Sequence, residues 1–380
     1  MIKKLFVIGP IKGSYRAQNI LQYLFHQSES IYINYFDPYW CSPMFLNKYI
    51  DSTIGKMIRV LNSILSHFEL IRKAMYCDCI LVLPMNHVWA CKSIIIGRIL
   101  RKPVIVDLYI GIYDTMVNDR KIIGDKSIKA KLLKILDKYI IENSDIIITC
   151  ARSDFHHICS SVNADMNNAK IRIIPLCINP KNTTALRKSL NKFFCICWWG
   201  TYIPLHGLDK IIQTIAILYK EGFTNFKLYI FGDDENKSVP FRKMIDDLKL
   251  NNYIIISNQI TFQNGKLQEY LSTKCDLAMG IFGDSRKAQS VIANKIIDAI
   301  EMRIPVLTMD TPALDEYLDK NNHLFVCSND PQNMAEMILY IYNNQNEAKR
   351  RADLAYEIYL KEFSIQAFQQ NFHQLLQEIL

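Results

Sequence analysis

The densest run of residues able to do chemistry is Gly283-Asp284-Ser285-Arg286-Lys287-Ala288-Gln289-Ser290. It continues through Val291-Ile292-Ala293-Asn294-Lys295 and reaches Asp298. The run lies between an apolar strand pattern, Asp276–Ile281, and a helical pattern from about Ala293 to Met302. Backbone N–H groups at a helix start favour an anion, and Lys or Arg beside them suits a diphosphate. Asp298, one turn further in, is placed to receive ribose hydroxyls. For Lys287 a solvated loop charge is the plainer account.

Three other loops join a strand to a helix. Gly9-Pro10-Ile11-Lys12-Gly13-Ser14 follows the first strand, and its glycines allow close approach of backbone to a ligand. It is neither G-x-G-x-x-G nor a P-loop, so a tight turn and a substrate loop both fit it. Asp107 closes the strand pattern Pro103–Asp107, with Tyr113-Asp114-Thr115 and Asp119-Arg120 close behind. A carboxylate there is suited to a sugar hydroxyl or a proton; a helix cap or a surface ion pair is the alternative. Trp199-Gly200-Thr201-Tyr202-Ile203-Pro204-Leu205-His206-Gly207 is the third, readable as a ligand loop or as a plain loop ending in a cap.

These loops need elements to hold them. Short apolar runs alternate with amphipathic helices: Lys3–Ile8, Asp78–Leu83, Pro103–Asp107, Asp145–Cys150 and Ile171–Ile174 read as buried strands. Such alternation predicts a parallel sheet covered on both faces. Pro175–Asn191 reads as a linker, after which the pattern restarts. Phe193–Trp199, Phe226–Phe231, Tyr253–Ser257, Asp276–Ile281, Pro305–Thr308 and His323–Val326 are the second set of strands. Leu208, Ile211, Ile212, Ile215, Leu218 and Tyr219 sit at helical spacing. The expectation is α/β: two tandem doubly wound, Rossmann-like domains facing a cleft, with ligands beyond the carboxyl ends of the strands.

Composition bounds the rest. With 380 residues, 50% of them hydrophobic, the chain suits two cores and excludes disorder. No 20-residue apolar run predicts a membrane span, and Met1–Gly13 reads as a first strand rather than a signal peptide. The 11 cysteines are scattered and expected to be free thiols of a reducing cytoplasm. Cys77-Asp-Cys79 and Cys195-Ile-Cys197 lack C-x-x-C spacing, so no structural metal is expected. A net charge of +8 permits anionic partners. Lys121–Ile140 places Leu132, Leu133, Leu136, Tyr139 and Ile140 on one helical face, among lysines. A helix packed on the sheet and a peripheral contact with an anionic membrane both fit it. No basic-aromatic pattern supports nucleic-acid binding.

Across nearly its whole length the sequence resembles GT-B-fold glycosyltransferases, in particular glycosyltransferase family 4. The resemblance rests on Asp107 with Tyr113–Arg120, Ser127 and Leu136-Asp137, on Trp199–Gly207, and on Gly283–Lys295. It continues in Asp298-Ala299-Ile300-Glu301-Met302-Arg303-Ile304-Pro305-Val306, which is similar to E-A-x-x-x-x-x-P-V, and in Asp310–Ala313 with Glu316. It implies an acceptor domain over residues 1–180, a nucleotide-sugar domain over 181–360, and a helix over 361–380 crossing back to the first. It further implies a cytoplasmic enzyme of polysaccharide biosynthesis, at times at the inner face of the membrane. The reaction would move a sugar from a nucleoside-diphosphate sugar to a glycan, lipid-linked or small-molecule acceptor, with retention and with no cofactor or metal.

By that resemblance Asp107 is catalytic, and Gly200, Thr201, His206, Lys287, Val291, Ile292, Lys295 and Asp298 bind the donor. Gly13, Ser14 and Tyr113 bind the acceptor. The family's G-R-L-x-x-x-K-G has Thr201 and His206 here in place of its Arg and Lys. Its E-x7-E falls on Ser290 and Asp298, with Asp284 a displaced first carboxylate. Arg286, Lys287 or Lys295 would then replace the lost charge. A nucleotide-sugar 2-epimerase and a non-catalytic nucleotide- or glycan-binding scaffold are the alternatives.

Overall fold

The computed structural model describes residues 3–11, 14–27, 31–37, 66–165, 170–179 and 192–379. The chain divides into two compact units: Met1–Pro175 with Phe368–Leu380, and Leu176–Ala367. Gly13 and most of the Pro175–Asn191 linker lie outside the described residues.

The first unit runs β1 (Lys3–Ile8), α1 (Tyr15–His26), β2 (Ile31–Phe36), β3 (Cys79–Val82), α2 (His87–Leu100), β4 (Val104–Asp107), α3 (Ile128–Asn143), β5 (Ile146–Thr149), α4 (Arg152–Val162) and β6 (Lys170–Ile173). Its six strands are parallel in the order β2-β1-β3-β4-β5-β6, so the winding reverses between β1 and β3. β3, β4 and β5 are buried at every position, as strands covered on both faces must be. Strand β2 was not anticipated. Its Ile-Tyr-Ile-Asn-Tyr-Phe is half-buried at a sheet edge, so it carries no continuous apolar run.

The second unit runs β7 (Phe194–Trp199), α5 (Leu208–Lys220), β8 (Phe226–Phe231), α6 (Glu235–Asp247), β9 (Ile254–Ile256), α7 (Lys266–Lys274), β10 (Leu277–Met279), α8 (Arg286–Ser290), α9 (Asn294–Glu301), β11 (Val306–Met309), β12 (Phe325–Cys327), α10 (Pro331–Asn343) and α11 (Gln345–Ile358). The sheet order is β12-β11-β10-β7-β8-β9, all parallel, which is the Rossmann order with its reversal between β7 and β10. On α5 the stripe Leu208, Ile211, Ile212, Ile215 and Leu218 is buried, whereas Tyr219 is 43% exposed and lies against Tyr253 instead.

The last helix, α12 (Ile365–Ile379), packs within the first unit from Phe368 onward. Phe372 meets the Tyr23 ring edge-on at 5.6 Å, and the Tyr23 hydroxyl lies 3.0 Å from His373 Nδ1. The ten described cysteines are all free. No described helix is long and apolar enough to cross a membrane.

Candidate active site

Crevices in doubly wound sheets open where the winding reverses. In the second unit the reversal brings the loop after β7, Gly200–Gly207, against the loop after β10. Phe282 N donates to His206 O at 3.2 Å and Gly283 N donates to Leu205 O at 3.2 Å. This approach requires glycine at two positions. A Cβ on Gly207 would stand 2.5 Å from the Phe282 carbonyl carbon, and one on Gly283 would stand 2.5 Å from Leu205 O. The two loops that the sequence singled out are therefore one structure.

Around Gly200 three of the expected donor residues converge. Gly200 has φ +135°, and a Cβ there would lie 3.3 Å from His206 Cε1 and 3.5 Å from Lys295 Nζ. Lys295, in the first turn of α9, is 5% exposed, and its ammonium sits 4.1 Å above the centre of the Trp198 ring. It has no hydrogen-bond partner among the described residues. Burial drives its pKa well below that of an ordinary lysine, and the nearby Asp298 carboxylate only partly offsets this. His206 is also buried; its Nδ1–H donates to Thr201 O at 2.7 Å. Burial first, then the Lys295 charge, hold its pKa well below the usual histidine value, so the imidazole is neutral. Asp298, 5% exposed, accepts from the Trp199 indole N–H at 3.3 Å.

The remaining donor candidates separate. Thr201 is exposed, and Lys287 is half-buried in the five-residue α8, which Ser285 caps through Ala288 N. Ile292 is 8% exposed and belongs to the core, with Val291 packed against it, so both shape the α8–α9 turn. Asp284 points outward, its side chain 79% exposed, and is held by Lys210 and by Asn329 at 2.9 Å. That makes it a surface ion pair rather than a displaced inward carboxylate. Trp198, the platform beneath Lys295, was not anticipated: inside an apolar strand it reads as core.

In the first unit Asp107 is not open to solvent. Its carboxylate is fully buried and accepts from Arg16 Nε at 2.7 Å, and Arg16 also donates to the carbonyls of Ile174 and Pro175. The pair ties β4 to α1 and to the end of the unit. Burial raises the Asp107 pKa, and Arg16 opposes that rise. Ser14 is the N-cap of α1, accepting from Ala17 N at 3.2 Å, which accounts for its 6% exposure without an acceptor. Tyr113 donates its backbone N–H to Asp137 Oδ2 at 2.8 Å and opens a π-turn over Asp114–Asp119. There Asp114 lies 3.0 Å from His157, while the adjacent His156 points outward. His87 donates Nε2–H to Ile110 O at 3.0 Å, and burial pushes its pKa down to about 4. Among the described residues no cluster of His, Cys, Asp or Glu could hold a metal ion.

Two Rossmann-type sheets in tandem, with a loop site at the reversal of the second, define the GT-B architecture. Residues 194–344, within the second unit, match the family model described as "Glycosyl transferases group 1". No protein of curated function matches the sequence. Solved structures share the fold at low identity. Anabaena HepE in complex with UDP-glucose is 13% identical with a TM-score of 0.69, covering 100% of each chain. Sucrose-phosphate synthase from Thermosynechococcus elongatus is 14% identical with a TM-score of 0.70, covering 99% of each. A glycosyltransferase from Rickettsia africae is 13% identical with a TM-score of 0.67, covering 99% of this chain and 98% of its own.

Proposed function

We propose that the protein transfers a sugar from a nucleoside-diphosphate sugar to a glycan, lipid-linked or small-molecule acceptor, with retention and without a metal. The observation that carries this reading is Lys295: a buried ammonium with no hydrogen-bond partner among the described residues, beside Gly200 at the sheet reversal. Leaving such a group unsatisfied is costly unless an anion completes it. Four rotatable bonds let Nζ leave the Trp198 ring for a diphosphate above Gly200, where the N-terminal amides of α9 add to the attraction.

In the reaction the bond from the sugar to the diphosphate breaks with its electron pair on the phosphate oxygen. The acceptor hydroxyl oxygen forms the new bond to the anomeric carbon and gives its proton to the departing phosphate oxygen. Lys295 takes the charge developing on the leaving group, normally the largest catalytic contribution in such chemistry. Lys295 thus stands in for the basic residues that Thr201 and His206 replace. Neutral His206 leaves room for that charge, and Asp298 is the proposed receiver of the ribose hydroxyls. HepE was solved with UDP-glucose, which supports a sugar nucleotide as the donor class.

The reading is tested by thermal shift with UDP, GDP, ADP, CMP and dTDP, with and without Mg²⁺. One of these is expected to stabilise the fold without metal, by about 2.7 kcal/mol at a hundredfold excess over Kd. No stabilisation by any of them would contradict it. The uncharged Thr201 and His206 favour a second reading, a non-catalytic scaffold; that reading predicts nucleotide binding with no sugar transfer or donor hydrolysis.

A further inference from the structure

Helix α3 of the first unit carries two apolar faces, and its core uses only one. Ala130, Asp137, Ile140 and Ile141 are buried. On the opposite side Ile128, Leu132 and Ile135 are 78%, 59% and 64% exposed. Their i, i+4, i+7 spacing stacks them within an arc of roughly 60°. Leu132, expected in the buried stripe, is part of this outer one. By the same helical geometry Lys131 and Lys138 flank the stripe on one side and Lys129 on the other. The segment entering the helix adds exposed Ile122 with Lys121 and Lys126. Acidic residues are fewer than the lysines on this face: Asp125 is exposed in the entering segment. Asp137 is turned into the core, and Glu142 sits 3.6 Å from Lys138 near the helix end. The adjoining α2, tied to α3 by Arg98 donating to Asn143, exposes Ile95 and Ile99 as well.

A row of large aliphatic side chains pointing into water, bordered on both sides by lysines, is the pattern of a helix lying in the plane of an anionic lipid surface. The aliphatic groups enter the acyl boundary, and the lysine stems lie along it with their ammonium groups at the phosphates. A protein partner would need acidic groups matched to each lysine; a lipid surface supplies negative charge without register. We propose that α3 and the segment entering it dock the protein peripherally on an anionic membrane, independently of any donor site in the second unit.

The test is flotation of the full chain with phosphatidylcholine vesicles and with vesicles containing 30% phosphatidylglycerol, at low and high salt. Binding is expected only to the anionic vesicles and is expected to weaken as salt rises. The triple variants Ile128→Ser/Leu132→Ser/Ile135→Ser and Lys129→Gln/Lys131→Gln/Lys138→Gln should each lower vesicle affinity at least tenfold. Both sets of positions are solvent-facing, so the thermal midpoint should hold. Equal binding to both vesicle types, no binding, or wild-type affinity in either variant would overturn the proposal. So would RNA binding that ignores the aliphatic triple, or self-association that the aliphatic triple abolishes.

Discussion

Arg16 in the first unit and Lys295 in the second are both buried cations near the carboxyl ends of central strands, and they are partnered in opposite ways. Arg16 bonds through Nε to the Asp107 carboxylate and through Nη1 to the Ile174 and Pro175 carbonyls. Lys295 rests on an aromatic face with no hydrogen-bond acceptor among the described residues. Removing one partner of a buried ion pair strands the other charge and is strongly destabilising, so the Arg16–Asp107 pair ties its elements together in a way that Lys295 does not. The proposed function accordingly puts the leaving-group charge on Lys295, while Asp107, the carboxylate that looked catalytic in the sequence, lies in an ion pair with Arg16.

The largest expected effect separates the two cations directly. Arg16→Ala strands Asp107 in the core and should lower the unfolding free energy by about 3–5 kcal/mol in denaturant titrations. Lys295→Met keeps the aliphatic stem on Trp198 and removes the uncompensated charge. Its ligand-free stability should hold or rise by about 1 kcal/mol. A Lys295→Met protein as damaged as Arg16→Ala would erase the distinction.

Next in size, Asp298→Ala should weaken nucleotide binding by about 1–3 kcal/mol in a titration, the cost of a lost charged hydrogen-bond partner. Unchanged affinity would remove Asp298 from the site. A pH series tests the buried imidazoles. His87, at about 4, lies below its unfolded value, so the unfolded chain takes up a proton first on acidification. The His87 contribution to stability should therefore be full above pH ~6.5 and fall by at most about 1.4 kcal/mol per unit as pH drops toward 4. His206 acts in the same direction. His87→Gln should flatten the fall in thermal midpoint over that window. The smallest effect belongs to Asp284→Asn, which breaks an exposed pair with Lys210 and should change stability by less than about 1 kcal/mol.

Much of this was legible in the sequence, for definable reasons. The strands of the second unit are near-continuous apolar runs because both faces of that sheet are covered, and Phe226–Phe231 was read to the residue. The two loops of its site were readable because each sits where a strand meets a helix. The edge strand Ile31–Phe36 was not, since half-burial mixes polar and apolar residues. Asp107 was placed correctly at the end of β4, but its partner lies 91 residues earlier on α1, and no local spacing announces that bond. Trp198 was hidden for a related reason: in sequence it is one more apolar residue of a strand, and only the fold brings Lys295 over its ring. Leu132 was grouped with the face of α3 that carries buried Ile140, because helical spacing identifies a face without saying whether it turns inward.

The central claim is tested most directly by isothermal titration of wild type and Lys295→Met with whichever nucleoside diphosphate stabilises the wild type, alongside ligand-free unfolding of both. A stable, folded Lys295→Met protein that binds the nucleotide about 10- to 100-fold more weakly is the predicted result, matching the worth of a hydrogen bond to a charged group. Equal affinity in the two proteins would mean that Lys295 does not meet the donor diphosphate.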